Sequence, residues 1–337
     1  MDGLPADARC EVREAARAAG MLAAGRPVLA MLSGGRDSVC LLDVAVALCG
    51  AAQVRAVHVN YGLRAAAEAD EAHCRALCEL LGVELEVVPA DPDSRPHDPE
   101  GRPSGNLHAW AREVRYGAAA EIAERDDRLI ATGHTASDQV ETVLYRLAAS
   151  PGRRALLGMV AREGRLIRPL LSVTREQTAA YCRGAGLDWR EDESNDDDRY
   201  ARSRVRHGLL PALRAVHPGA EVNVLRTARL LGEEATLLDT LVAAELDDRG
   251  EIALERLGEL HPALARLIVV RLAERAAGTY VPQAGDRVQE LLDLGSRGGR
   301  AELHVGGLAG AVIEGGVLRM VKLPPRAQPA AAQGLDS

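Results

Sequence analysis

The stretch Ser33-Gly34-Gly35-Arg36-Asp37-Ser38 gathers two adjacent glycines, two hydroxyls and a carboxylate within six residues. Glycines let a backbone turn tightly and approach an anion closely, and the amides that open a following helix carry partial positive charge, so the stretch suits phosphate groups. Asp37 adds the hard oxygen that a magnesium ion bridging phosphates prefers. The spacing matches neither a Walker loop nor a Gly-x-Gly-x-x-Gly fingerprint. Read plainly, the same residues are a tight strand-to-helix turn with a serine N-cap.

Two further groups carry chemistry. Asp138 and Glu141, in Gly133-His134-Thr135-Ala136-Ser137-Asp138-Gln139-Val140-Glu141-Thr142, lie one helical turn apart. Two carboxylates there can bind an ammonium group or a metal, or with Thr135 simply cap the helix and complement its dipole. The other group is basic. Arg112 and Arg115 share a helix face, Arg153 and Arg154 sit in a loop, and seven arginines between Arg199 and Arg229 face one acid, Glu221. Six acids between Glu191 and Asp198 precede that basic run. The arginines are either a face for phosphate backbone or a solvated helix paired with the acids.

The elements that must position these groups follow from periodicity. Val28 to Leu32 is an aliphatic run of buried-strand type, and Ser38 opens a helix through Leu41, Leu42, Ala45 and Leu48. Val54–Val59, Glu84–Val88, Arg128–Thr132 and Arg165–Leu171 read as strands between helices, which predicts right-handed βαβ crossovers and a mainly parallel, doubly wound sheet with its ligand at the strands' carboxyl ends. Thr174-Arg175-Glu176-Gln177 is a capping box that starts a helix to about Arg183. The proline-rich stretch 89–106 reads as a surface loop. From about Glu221 the pattern turns helical and ends in strand-like pieces, Ala301–Val305 and Ala311–Val321, so we expect a catalytic domain over 1–218, a smaller mainly helical domain over 219–323 and a disordered tail over 324–337.

With no phenylalanine and 2% aromatic residues, base stacking on aromatic platforms cannot be extensive. A net charge of −8 argues against indiscriminate coating of nucleic acid without excluding a local basic face. The start lacks a signal-peptide pattern and no apolar run reaches spanning length, so we expect a cytoplasmic protein. Cys74 and Cys78, four apart in an Ala- and Leu-rich helix, read as packing.

The Ser-Gly-Gly-x-Asp-Ser pattern resembles the loop of the N-type ATP pyrophosphatases, or PP-loop proteins, which cleave ATP between its α and β phosphates to adenylate a substrate. His58-Val59-Asn60-Tyr61-Gly62-Leu63-Arg64, Ala111-Arg112-Glu113-Val114-Arg115-Tyr116, the Gly133–Thr142 stretch, Leu156-Leu157-Gly158-Met159, Arg168-Pro169-Leu170-Leu171, Glu191-Asp192-Glu193-Ser194-Asn195 and Arg204-Val205-Arg206-His207 follow in order. Together these motifs resemble the tRNA(Ile)-lysidine synthetase family over roughly residues 28–229. The family usually has His where this chain has Tyr61, Asp where it has Ser137, Arg-Gly where it has Ala149-Ser150, and often Asn where it has Ser203.

The resemblance implies an ATP- and Mg²⁺-dependent ligase. ATP would adenylate the wobble cytidine of an isoleucine tRNA with anticodon CAU, and the ε-amine of L-lysine would displace AMP. It implies ATP binding by Ser33, Gly34, Gly35, Arg36, Asp37, Ser38, His58, Gly133 and His134, with Asp37 as the metal ligand. Asp37, Asp138 and Arg112 would act in catalysis; Asp138 and Glu141 would receive lysine, with Arg206 or Arg202 clamping its carboxylate. Arg64, Arg115, Arg153, Arg154, Arg199, Arg202 and Arg204 would meet tRNA. Two other readings compete: a PP-loop tRNA thiolase, and an inactive tRNA-binding homologue. The sequence leaves a homodimer open.

Overall fold

A computed structural model describes residues 5–62, 67–97, 106–150, 152–191 and 201–324. Arg64, Arg199, most of the acidic run and the tail from residue 325 lie outside the described residues. The chain divides into two compact units, Met1–Leu231 and Gly232–Ser337.

In the first unit β1 (Val28–Met31), β2 (Val54–Asn60), β3 (Glu84–Pro89), β4 (Leu129–Ala131), β5 (Arg162–Glu163) and β6 (Leu166–Ile167) form one sheet in the order β3-β2-β1-β4-β6-β5. All neighbours run parallel except β5 and β6. The helices are α1 (Pro5–Ala18), α2 (Arg36–Cys49), α3 (Ala67–Leu81), α4 (Leu107–Arg125), α5 (Ala136–Ala149), α6 (Arg153–Leu156), α7 (Arg175–Ala185), α8 (Ala201–Arg204) and α9 (Leu210–Val216), while α10 (Ala220–Ala244) runs on into the second unit.

The strand alternation shows why helices cover both faces. Val28 and Ala30 of β1 belong to a core shared with α1, α2, α3 and α7, whereas Leu29 and Met31 point into a second core with Ala119, Ile122 and Ala123 of α4. From β1 the chain winds to β2 and β3 on one side, then crosses to β4 on the other. The strand order therefore reverses between β1 and β4, where an open α/β sheet has its ligand crevice.

Two expected elements differ. Helix α2 starts at Arg36 with Gly35 as its N-cap, and Ser38 lies inside the first turn with its hydroxyl donating to the Gly35 carbonyl at 2.8 Å. The expected strand over Arg165–Leu171 shrinks to Leu166–Ile167, because Pro169 has no N–H to continue the ladder. The capping boxes at Thr135 with Asp138 and at Thr174 with Gln177 are both formed.

In the second unit, β7 (Ile252–Ala253), β8 (Ala301–Gly306), β9 (Ala309–Glu314) and β10 (Val317–Lys322) make an antiparallel sheet ordered β7-β10-β9-β8. It packs with α11 (Leu254–Glu259), α12 (Pro262–Ala277) and α13 (Val288–Ser296) around Ile268, Leu272, Leu291 and Leu318. The strand-like run from Ala311 is thus two strands, turned at Gly315 and Gly316, both at positive φ.

Candidate active site

The loop after β1 is held open by its own hydroxyls. Ser33 N–H donates to Ser38 Oγ at 3.2 Å, Gly35 N–H donates to Ser33 Oγ at 3.4 Å, and Gly34 takes φ +82°, a conformation that favours glycine. Arg190 N–H donates to the Gly34 carbonyl at 2.9 Å, and the Arg190 guanidinium pairs with Asp70 of α3. The segment after α7 therefore straps the loop, and its Trp189, Arg190 and Glu191 line the same cavity. Across the crevice, a Cβ on Gly133 would stand 2.8 Å from the Asp37 carbonyl oxygen, so only glycine lets the end of β4 come this close to the start of α2.

A cavity of about 820 Å³ opens here. Of the expected nucleotide residues, Ser33, Gly35, Arg36, Asp37, Ser38, His58, Gly133 and His134 line it, and so do Arg115 and Arg206. Gly34 stands just behind the wall. Arg112 is not among the lining residues and instead stacks on the Tyr116 ring, 4.4 Å from its centroid. Arg153, Arg154, Arg202 and Arg204 lie away from the cavity, the last three exposed. Arg206 is half-buried in a π-helical turn, Val205–Leu209, that turns it inward while Arg202 and Arg204 face out.

Behind the wall the acids converge. Arg175, the first residue of α7, donates from Nη1 to Glu141 Oε1 at 2.7 Å and from Nη2 to Asp138 Oδ1 at 2.6 Å, and its Nε lies 3.6 Å from Asp37 Oδ2. Arg206 adds Nε and Nη2 to the two Glu141 oxygens, at 2.8 and 3.2 Å. Asp138 Oδ2 accepts from the Thr135 N–H and hydroxyl, both at 2.8 Å. It thus caps the helix with one oxygen and serves the cluster with the other. Burial works against its charge, but Arg175 and Thr135 hold its carboxyl below the usual range. Burial, helped by Arg168, Arg112 and Arg115, pushes His134 down to about 4 against the pull of Asp138, so its imidazole is neutral at pH 7. Its Nδ1 lies 2.8 Å from the Thr132 hydroxyl.

Asp37 Oδ1 accepts from Arg36 Nε and from the Thr178 hydroxyl of α7, while Oδ2 faces Arg175. One carboxylate beside a phosphate loop fits Mg²⁺, which is commonly held by one or two carboxylates together with substrate phosphates.

The sequence does not disclose the roles of Arg175, Thr178, Arg190 and Gln139. Gln139 clamps the backbone of Met159, donating to its carbonyl at 3.0 Å and accepting its N–H at 2.6 Å. Only Arg175 left a signal: a cation at the first position of a helix opposes the dipole, so it requires acidic partners from elsewhere.

Residues 11–213 match the family model of the PP-loop domain. A tRNA(Ile)-lysidine synthase of Salinispora arenicola (strain CNS-205) is 39% identical over 303 residues, covering 84% of this chain and 87% of that protein. One of Pseudomonas fluorescens (strain Pf0-1) is 39% identical over 221 residues, 64% of this chain and 48% of that protein. The chain thus spans about half the length of some curated relatives. Among solved structures, a U34-tRNA thiolase from Methanococcus maripaludis superposes with a TM-score of 0.55 at 19% identity, over 66% of this chain and 78% of that one, which shows a shared fold.

Proposed function

The chain belongs to the tRNA(Ile)-lysidine synthase family of PP-loop proteins, and from that membership we propose that it joins L-lysine to C2 of the wobble cytidine of an isoleucine tRNA with anticodon CAU. One observation carries this reading: Asp138 and Glu141, a pair of carboxylates suited to an amine, lie directly behind Asp37, Arg175 and Arg206 of the cavity wall that holds the Ser33–Ser38 loop.

The loop amides with Ser33 and Ser38 bind the phosphates of ATP, the N-terminus of α2 adding its partial charge. Asp37 is the residue that would hold Mg²⁺, whose chemistry when bound is to neutralise charge on the departing pyrophosphate. The cytidine O2 attacks the α-phosphorus and pyrophosphate leaves. The lysine ε-amine then attacks C2, AMP departs with O2, and the amine proton passes to a neighbouring carboxylate, Asp138 or Glu141. Arg115 faces the nucleotide side, and the exposed arginines 154, 202 and 204 supply the outward positive charge that a tRNA phosphate backbone requires. The second unit is assigned to tRNA binding on the same family reading.

A sulfur-transfer reading asks for a reactive thiolate. Burial pushes Cys74 up to about 12 and Cys78 up to about 11, so both stay protonated at neutral pH. The test is incorporation of labelled lysine into an isoleucine CAU transcript with ATP and Mg²⁺, against a methionine CAU control. Label in the first alone supports the reading. ATP consumption without lysine transfer favours the thiolase, and tRNA binding without any ATP turnover favours the inactive homologue.

A further inference from the structure

Five arginines line the cavity, and four of them already hold a carboxylate of the chain. Arg36 pairs with Asp37, Arg175 with Asp138 and Glu141, Arg190 with Asp70, and Arg206 with Glu141. The fifth is Arg115. It is half-buried, and among the described residues no carboxylate pairs with it. A guanidinium keeps its charge at every accessible pH, so on a wall that also carries a phosphate loop it is placed for an anionic group of the ligand.

Arg115 belongs to the half of α4 that needs an anchor. Further along the helix, Ala119, Ile122 and Ala123 are packed in the core on that face of the sheet, whereas the earlier turns reach the cavity through Leu107, Ala111 and Arg115. Tyr61, the residue after β2, holds these turns to the sheet. Its hydroxyl donates to the Ala111 carbonyl at 2.9 Å, and its ring centroid lies 5.9 Å from that of the buried Trp110. The strand end is itself fixed, since the Asn60 side chain donates to Glu71 and accepts the Gly62 N–H, both at 2.9 Å. In an α-helix the Ala111 carbonyl is also the acceptor for the N–H four residues on, which is that of Arg115. Tyr61 thus bonds the backbone group on which Arg115 hangs. Burial raises the Tyr61 hydroxyl above its ordinary value against the opposing field of Arg115, so it remains a donor at neutral pH.

We propose that Tyr61 is a positioning residue for nucleotide binding: by tethering α4 at Ala111 it keeps the unpaired Arg115 guanidinium on the cavity wall, where it takes a phosphate of ATP bound at the Ser33–Ser38 loop. This deepens the ATP-binding part of the function proposed above and needs neither lysine nor tRNA. Tyr61 stands where the family usually has histidine, whose ring N–H can donate to a carbonyl in the same way.

The experiment is calorimetric titration of the full chain with MgATP, for wild type, Tyr61→Phe, Tyr61→His, Arg115→Gln and the double variant Tyr61→Phe with Arg115→Gln, with a thermal melt of each. Tyr61→Phe removes one hydroxyl and keeps the ring. Tyr61→Phe and Arg115→Gln are each expected to weaken MgATP binding by about three- to tenfold. The double variant is expected to bind no more weakly than Arg115→Gln alone, because Tyr61 acts through Arg115. Tyr61→His restores a donor and is expected to bind within about twofold of wild type. Losses that multiply in the double variant overturn the proposal, as does a Tyr61→Phe affinity equal to that of wild type, or a wild type that binds no MgATP. A loss in Tyr61→Phe that follows a lowered melt and is not restored in Tyr61→His overturns it equally. If Arg115→Gln does not fold, the two Tyr61 variants decide, and equal affinities in them overturn it. The expected coupling in a wild type that transfers no lysine to tRNA leaves Tyr61 in its role and removes the lysine reading, whereas lysine transfer with multiplying losses does the reverse.

Discussion

Gly133 and Asp37 meet backbone to backbone, the α-hydrogen of Gly133 occupying space that any side chain would take from the Asp37 carbonyl. The contact closes the switch point of the sheet, tying the end of β4 to the start of α2. Because the neighbour is main chain, no rotamer change can relieve a clash there.

Gly133→Ala is therefore expected to cost about 1–3 kcal/mol through overpacking. A thermal melt falling by several degrees, together with weakened ATP binding in calorimetry, checks this. An unchanged melt with unchanged affinity would mean that the crevice opens freely.

Asp37→Asn keeps the size of the side chain and removes its charge. ATP-to-pyrophosphate exchange should be abolished while the melt stays near that of wild type, since Thr178 can still donate to the amide oxygen. Full exchange in this variant would move the metal-binding role to another residue.

Gln139 holds Met159 by two hydrogen bonds, and a Cβ on Gly158, at φ +65°, would lie 2.6 Å from Gln139 Oε1. Gln139→Ala should destabilise the first unit by about 2–4 kcal/mol, two lost bonds plus a backbone group left poorly paired. Denaturant unfolding gives the number, and faster proteolysis between residues 150 and 165 would locate the loosened loop.

His134 sits at about 4 against an ordinary value of 6.5. The unfolded chain takes up the proton first as pH falls, so the stability that depends on a neutral His134 is complete above about pH 6.5 and drains away toward pH 4. The loss is on the order of 3 kcal/mol, and His134→Gln should flatten that part of the stability curve. A curve of the same slope in the variant would assign the loss to other groups.

Much was legible in the sequence because its signals are local. Five aliphatic residues followed by Ser33-Gly34-Gly35 were readable as a strand and a tight turn into a helix, since burial and glycine's freedom act within a few residues. Helix starts at Thr135 and Thr174 were readable for the same reason: a capping box is complete within four residues. Strand alternation gave the parallel sheet, and the pairing of Asp138 with Glu141 followed from helical pitch.

Tertiary structure alone decided what those acids face. Arg175 is 34 residues from Glu141 and 37 from Asp138 in sequence, and Arg206 is 65 from Glu141. No periodicity spans such distances, so the sequence could show that each charge needed a partner but not which one it had. Packing of α7 on α1 and α2, which sets Arg175 beside α5, and of the π-helical turn against α5 made the choice, because a buried charge is stable only beside its counter-charge. The same packing separated Arg206 from Arg202 and Arg204, neighbours in sequence that end on opposite sides of one short helix.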